Sequence, residues 1–252
     1  MELLVDLMRQ GPSRAAEAAT AAAANAMEAS GTNRAAFGRA GGLAAVMGLL
    51  RGGDPRMQEN AMTCLWNLLT DNKEAEGELV RDPGSIPLIV QHVLTGTTAG
   101  QELAAGCLWK ACSRDHAVKE QVGAAIPGLV QLLLAGGPGA KELAAGALRS
   151  ACIGSHANRD AIRRCGGIAA LLQVVRLGGR AAVQACAALT NACAESEHNQ
   201  RAAEEEGAVP LLVAVLRDGV THGGEGREMV ECAVTGLRNL CDSNAGLQAE
   251  LG

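Results

Sequence analysis

Apolar residues recur along the chain at steps of three and four, in short windows that share one spacing. The clearest windows are Ile86, Ile89, Val90, Val93; Ile126, Leu129, Val130, Leu133; Ile168, Leu171, Leu172, Val175; and Val209, Leu212, Val213, Leu216. Each set falls on one face of an α-helix. A weaker window, Leu4, Val5 and Met8, opens the chain. The windows open near Met1, Leu43, Ile86, Ile126, Ile168 and Val209, at intervals of 40–43 residues. Breakers close them: GPS at 11–13, GGDP at 52–55, TGTTAG at 95–100, AGGPG at 135–139, LGG at 177–179 and DGVTHGGEG at 218–226. Gly and Pro end helices through backbone freedom and a missing N–H. The last breaker is the longest, so the final repeat is expected to carry a loop insertion.

After each break the pattern predicts a longer helix, over about 14–29, 56–70, 101–113, 140–153, 180–194 and 227–241. Short helices then cover segments such as 33–40, 117–124, 158–165 and 199–206. Asn33, Asn158 and Asn199 are expected to be their N-caps. A corner follows: Gly41-Gly42, Gly84-Ser85, Gly123-Ala124, Gly166-Gly167 or Gly207-Ala208. Pro87, Pro127 and Pro210 stand in the first turn of the next window, where an absent donor costs little.

The repeat is visible in the letters as well. ELAAGCLWKAC (102–112) and ELAAGALRSAC (142–152) differ only at Cys107/Ala147, Trp109/Arg149 and Lys110/Ser150. A period near 40 residues predicts an all-α solenoid of about six stacked units, a single array over 1–252. No such unit buries its apolar face alone.

Composition narrows the picture. Aromatics are only 1% of a chain that is 48% apolar, so the core must be built from Ala, Leu, Val and Ile. A net charge of −5 argues against broad binding to phosphate backbones and fits a partner of basic character. No apolar run has the roughly 18–20 residues of a membrane span. The nine cysteines form no CxxC, and Cys112, Cys152, Cys193 and Cys241 share one slot, as small packing residues do. Reduced thiols suggest an intracellular home, cytoplasmic, nuclear or cytoskeletal/ciliary.

With GSIPLIVQHV (84–93), AIPGLVQLLL (125–134), GAVPLLVAVL (207–216), QENAMTCLWNL (58–68), QACAALTNAC (184–193) and ECAVTGLRNLC (231–241), the chain resembles the armadillo repeat family along essentially its whole length. HEAT repeats, with two helices per unit, fit less well, because the short helix and Gly corner are an armadillo feature. The resemblance implies a right-handed superhelix whose long (third) helices line a concave groove. The chain begins and stops without evident polar caps, so a fragment or domain of a longer array, or an array capped by a partner, is expected.

In the family, an Asn near the end of the long helix holds extended peptides. Here that slot is Asn25, Asn67, Lys110, Ser150, Asn191 and Asn239, and the role carries over to the four Asn only. A carboxamide offers both N–H and C=O to a peptide backbone; the same Asn could instead bond a neighbouring helix. Lys110 and Ser150 interrupt the row. One residue earlier stand Trp66, Trp109, Arg149 and Arg238, residue types common at binding hot spots, though each Trp could simply pack on the next unit. Importin-type members place Trp four residues before the Asn; here those positions are Ala21, Thr63, Gly106, Gly146, Ala187 and Thr235, so nuclear-import cargo is not expected.

Eight residues before the slot runs a row of acids, Glu17, Glu59, Glu102, Glu142 and Glu231. They read either as first-turn acids that favour the helix N-terminus or as an acidic lip that steers basic partners. His116, His156 and His198 recur near the turns, too far apart to share a metal, since packed helices lie about 8–10 Å apart. His222 and Glu225 are too few for a site. No nucleophile with its base, phosphate loop or cofactor fingerprint stands out. The expected function is a non-enzymatic scaffold, without metal or cofactor, that binds an extended peptide or a partner protein. The alternative is a subunit packed permanently in a large assembly through its ends and convex face.

Overall fold

The computed structural model describes residues 1–112, 116–222 and 227–242. Among these residues the regular elements are seventeen α-helices and one 3-10 turn. The chain divides into two compact parts, Met1–Ala125 and Ile126–Gly252, and each holds three repeats.

In the first part the helices are α1 (Glu2–Gln10), α2 (Ser13–Glu28) and α3 (Gly31–Arg39); α4 (Gly42–Gly52), α5 (Pro55–Leu69) and α6 (Lys73–Arg81); and α7 (Ser85–Thr95), α8 (Thr98–Cys112) and α9 (His116–Val122), the last running into the 3-10 turn Gly123–Ala125. In the second they are α10 (Ile126–Ala135), α11 (Pro138–Cys152) and α12 (His156–Arg164); α13 (Gly167–Leu177), α14 (Gly179–Cys193) and α15 (Glu197–Glu205); and α16 (Ala208–His222) and α17 (Arg227–Cys241). The long helices pack side by side: α2 on α5 and α5 on α8 in one part, α11 on α14 and α14 on α17 in the other. Small residues make this approach possible. Ala61, Ala104, Ala105, Ala185 and Ala188 are all fully buried.

The corners explain their glycines. Gly41, Gly166 and Gly207 adopt φ of 76°, 70° and 78°, a left-handed conformation that side chains rarely tolerate. The second glycine has a different task. A Cβ on Gly42 would lie 2.3 Å from the Phe37 ring, and one on Gly167 would lie 2.7 Å from Ile162 Cγ2. In the second repeat Gly84 is right-handed instead. There Asp82 closes the corner, accepting from the Ser85 hydroxyl at 2.6 Å and the Gly84 N–H at 3.3 Å. The Ser85 bond holds the Asp82 carboxyl below its ordinary range, helped by Arg51.

Three expectations are corrected. Asn33, Asn158 and Asn199 are not N-caps. They are the third residues of their helices, and Ser30, Ser155 and Ser196 precede those helices. Their amides reach back seven residues, to Ala26 O (2.7 Å), Ala151 O (2.9 Å) and Ala192 O (2.8 Å). The next residues do the same: Arg34 to Met27 O, Arg159 to Cys152 O and Gln200 to Cys193 O. The pair therefore satisfies carbonyls in the last turn of the long helix, which have no intrahelical donor. Second, Glu17, Glu59, Glu102, Glu142 and Glu231 are each the fifth residue of their helix, one turn too deep to act on its N-terminus. Third, α16 does not stop at Asp218 but continues to His222. One interior glycine is tolerated in a helix at a cost of about 1 kcal/mol. The remainder of the predicted insertion, 223–226, lies outside the described residues.

Candidate partner-binding face

The long helices carry the predicted residues, and one bonding rule organises them. In each part the slot residue contacts the residue just before the slot one repeat earlier. Asn67 Nδ2 donates to Ala24 O at 2.9 Å. Asn191 Nδ2 donates to Arg149 O at 3.0 Å, and Asn239 Nδ2 to Thr190 O at 3.0 Å. Lys110 follows the rule by different chemistry: its Nζ stands 5.6 Å from the centroid of the Trp66 ring. A cation over an indole face at that range contributes about 0.5–1 kcal/mol when exposed. The alternative reading of the Asn row, a bond to the neighbouring helix, is thus present in the structure. It uses one N–H of each amide and leaves Oδ1 out of that bond.

Exposure separates the candidates. Asn25 and Arg238 are exposed, and Asn67, Trp66, Trp109, Lys110, Arg149 and Asn191 are half-buried. Ser150 and Asn239 are buried at 7% and 8%, so they face neighbouring helices more than solvent. In the first part Asn25, Trp66, Asn67, Trp109 and Lys110 stand on α2, α5 and α8. In the second part Arg149, Asn191, Glu228, Glu231 and Cys232 line a cavity of about 400 Å³ between α11, α14 and α17. Arg149 is tied there, donating to Gln184 Oε1 at 3.1 Å and lying 3.9 Å from Glu228.

The acidic row is largely engaged within the chain. Glu17 pairs with Arg56 at 2.7 Å, Glu142 with Arg180 at 2.9 Å and Glu231 with Arg227 at 2.9 Å. Glu59 accepts from the Thr97 hydroxyl at 2.8 Å. Three of these contacts join one repeat to the next. Exposed pairs of this kind contribute about 0–1 kcal/mol each. Three of the five acids are thus paired with an Arg of the same chain, which weakens the case for a lip that draws basic partners.

Several bonds escaped the sequence reading. Gln58 donates to Leu50 O, Gln101 to Val93 O and Lys141 to Leu133 O, each reaching back eight residues to the end of the preceding helix. The signal was present as a polar residue just before the Glu row, but a donor's target cannot be read from spacing alone. His92 is also buried, with Nε2 3.3 Å from Leu50 O.

The cysteines are free thiols. Burial pushes Cys64, Cys112, Cys186 and Cys193 up to about 12 from an ordinary value of 9.0. Thiols so protonated are poor nucleophiles and ligands. Among the described residues no group of three or more His, Cys, Asp or Glu could hold a metal ion, and no helix is long and apolar enough to cross a membrane. His156 and His198 are exposed in the first turns of α12 and α15; the side chains of His116 and His222, and Glu225, lie outside the described residues.

Residues 32–70 match the model of the Armadillo/beta-catenin-like repeat. Among curated proteins, none matches the chain. Solved structures do. An engineered protein from a structural genomics consortium is 24% identical, with a TM-score of 0.79 over 95% of this chain and 96% of that one. The designed armadillo repeat protein YIII(Dq)4CqI is 17% identical, with a TM-score of 0.79 over 95% and 99%. A designed armadillo repeat protein in complex with peptide (KR)4 is 17% identical, with a TM-score of 0.75 over 95% and 98%. From the repeat matched at 32–70 and the shared helical architecture, the chain carries an armadillo repeat and has the fold of armadillo-repeat proteins.

Proposed function

We propose that the chain is a non-enzymatic scaffold that binds an extended segment of a protein partner on the face formed by its long helices. One observation carries this reading. The chain has only three aromatic residues. It buries Phe37 completely, yet leaves both tryptophans half-exposed at the same slot of neighbouring helices α5 and α8. Large rings left partly in water beside Asn67 and Lys110 suit a ligand that brings both backbone polar groups and apolar side chains. Asn67 and Asn191 are oriented by their bonds to the preceding repeat, and Oδ1 remains to accept from a peptide N–H. Arg149 and Arg238 are the corresponding positions of the second part. Ser150 and Asn239, being buried, would support the face rather than touch the ligand. The complex of a designed armadillo repeat protein with a peptide is consistent with this use of the fold, as an analogy of fold only. The free thiols fit an intracellular setting.

The test is a selection of displayed random dodecapeptides on the whole chain, followed by affinity measurement with a Trp66→Ala/Trp109→Ala variant. Binding is expected to weaken by about tenfold or more, the loss typical of a hot-spot pair, while the far-ultraviolet dichroism stays unchanged. Equal affinity in the double variant would refute the reading.

A further inference from the structure

Lys110 is the one charged residue in a slot otherwise filled by Asn or Ser. Its ammonium sits over the Trp66 ring at 5.6 Å, and no carboxylate of the described residues pairs with it. Arg149, in contrast, is committed to Gln184 and Glu228, and Glu17 and Glu59 of the acidic row are engaged by Arg56 and Thr97. An ammonium has three N–H donors and accepts nothing. A π-contact orders its charge without supplying those donors with an acceptor.

Two consequences set a sign. A partner's Lys or Arg approaching Trp66 would have to displace Lys110 or sit beside a like charge. A partner's carboxylate would find a cation already positioned, with rotamer freedom partly spent.

Resting on the scaffold reading above, we propose that Lys110 makes the α5–α8 face select acidic segments: a carboxylate of the extended partner binds the Lys110 ammonium while an adjacent apolar side chain lies against Trp66 and Trp109. This assigns the partner a chemistry opposite to the one expected from net charge. Net charge sums over the whole surface, whereas selectivity is decided where the segment lies.

The two tryptophans are the only ones in the chain, so intrinsic fluorescence reports this face directly. Titrations with the octapeptides (EA)4 and (KA)4 test the sign. The wild-type chain is expected to bind (EA)4 about fivefold more tightly at low salt, the ratio shrinking as salt is added. Lys110→Asn, which installs the residue found in other repeats, removes the preference, and Lys110→Arg keeps it. Both variants are checked for an unchanged thermal melt. Wild-type binding of (KA)4 as tight as that of (EA)4 would overturn the proposal, as would a preference that survives Lys110→Asn. A wild-type chain that binds neither octapeptide but holds a selected neutral peptide also overturns it, leaving the scaffold reading intact. A chain that binds no peptide of any charge overturns both.

Discussion

Asn199 offers the sharpest test of how the repeats are tied together. Its side chain is fully buried. Nδ2 donates to Ala192 O at 2.8 Å and to Arg159 O at 3.0 Å, joining α15 to its own long helix and to the short helix of the preceding repeat. In Asn199→Ala both bonds disappear. Arg159 lies inside α12, where its carbonyl retains a helical donor. Ala192 lies in the last turn of α14, where it does not. Leaving that carbonyl buried and unpaired costs about 1–3 kcal/mol. Against this, Oδ1 of Asn199 has no hydrogen-bond partner, so removing it returns about 1 kcal/mol. The net loss, with the second bond included, is about 2 kcal/mol. For a chain of this size that lowers Tm by about 4–8 °C. Asn33 provides the internal control: it is half-buried and makes the same seven-residue reach to Ala26 O. Asn33→Ala should cost about 1 kcal/mol. Urea and thermal melts followed by dichroism measure both. If Asn33→Ala destabilises as much as Asn199→Ala, the bridge between repeats contributes nothing and the reasoning fails.

Gly42→Ala should destabilise by about 1–3 kcal/mol, because its Cβ would fall 2.3 Å from the buried Phe37 ring; pairing it with Phe37→Val should recover part of the loss in a double-mutant cycle. The buried thiols predict slow labelling by a maleimide at pH 8, with the half-buried Cys165, Cys232 and Cys241 reacting first, as read by mass spectrometry of the native chain. They also predict a pH dependence. Cys64, Cys112, Cys186 and Cys193 hold their protons to about 12 when folded, against 9.0 ordinarily. The unfolded chain therefore loses protons first as the pH rises. Their contribution is complete below about pH 9 and declines between about 9 and 12. Urea midpoints should be level from pH 7 to 8.5 with respect to these groups and fall above that.

The periodic apolar windows and the Gly–Pro breaks were enough to place the helices, because burial of one helical face leaves a three-to-four spacing in any sequence. The long helices were located to within a few residues; α8 begins at Thr98, where the Thr97 hydroxyl accepts from the Gly100 N–H. The slot rows on the long helices were likewise legible, since a repeat places equivalent residues at equivalent positions. What the letters did not carry was the target of each polar side chain. Asn33, Asn158 and Asn199 have the composition of N-caps, but the end of the preceding long helix lies within reach and its carbonyls need donors more. Glu17 and Glu142 look like helix-terminus acids, yet they meet arginines of the next repeat. The same holds for size matching: that Gly42 must be small follows from where the Phe37 ring lies, and that position exists only once the helices have packed. Lys110 illustrates the division most plainly. Its departure from the Asn row was visible in the sequence. That its charge rests on Trp66, with no carboxylate of the described residues paired to it, was decided by the stacking of α5 on α8, because a side chain's partner is set by what tertiary contact brings near and not by its place along the chain.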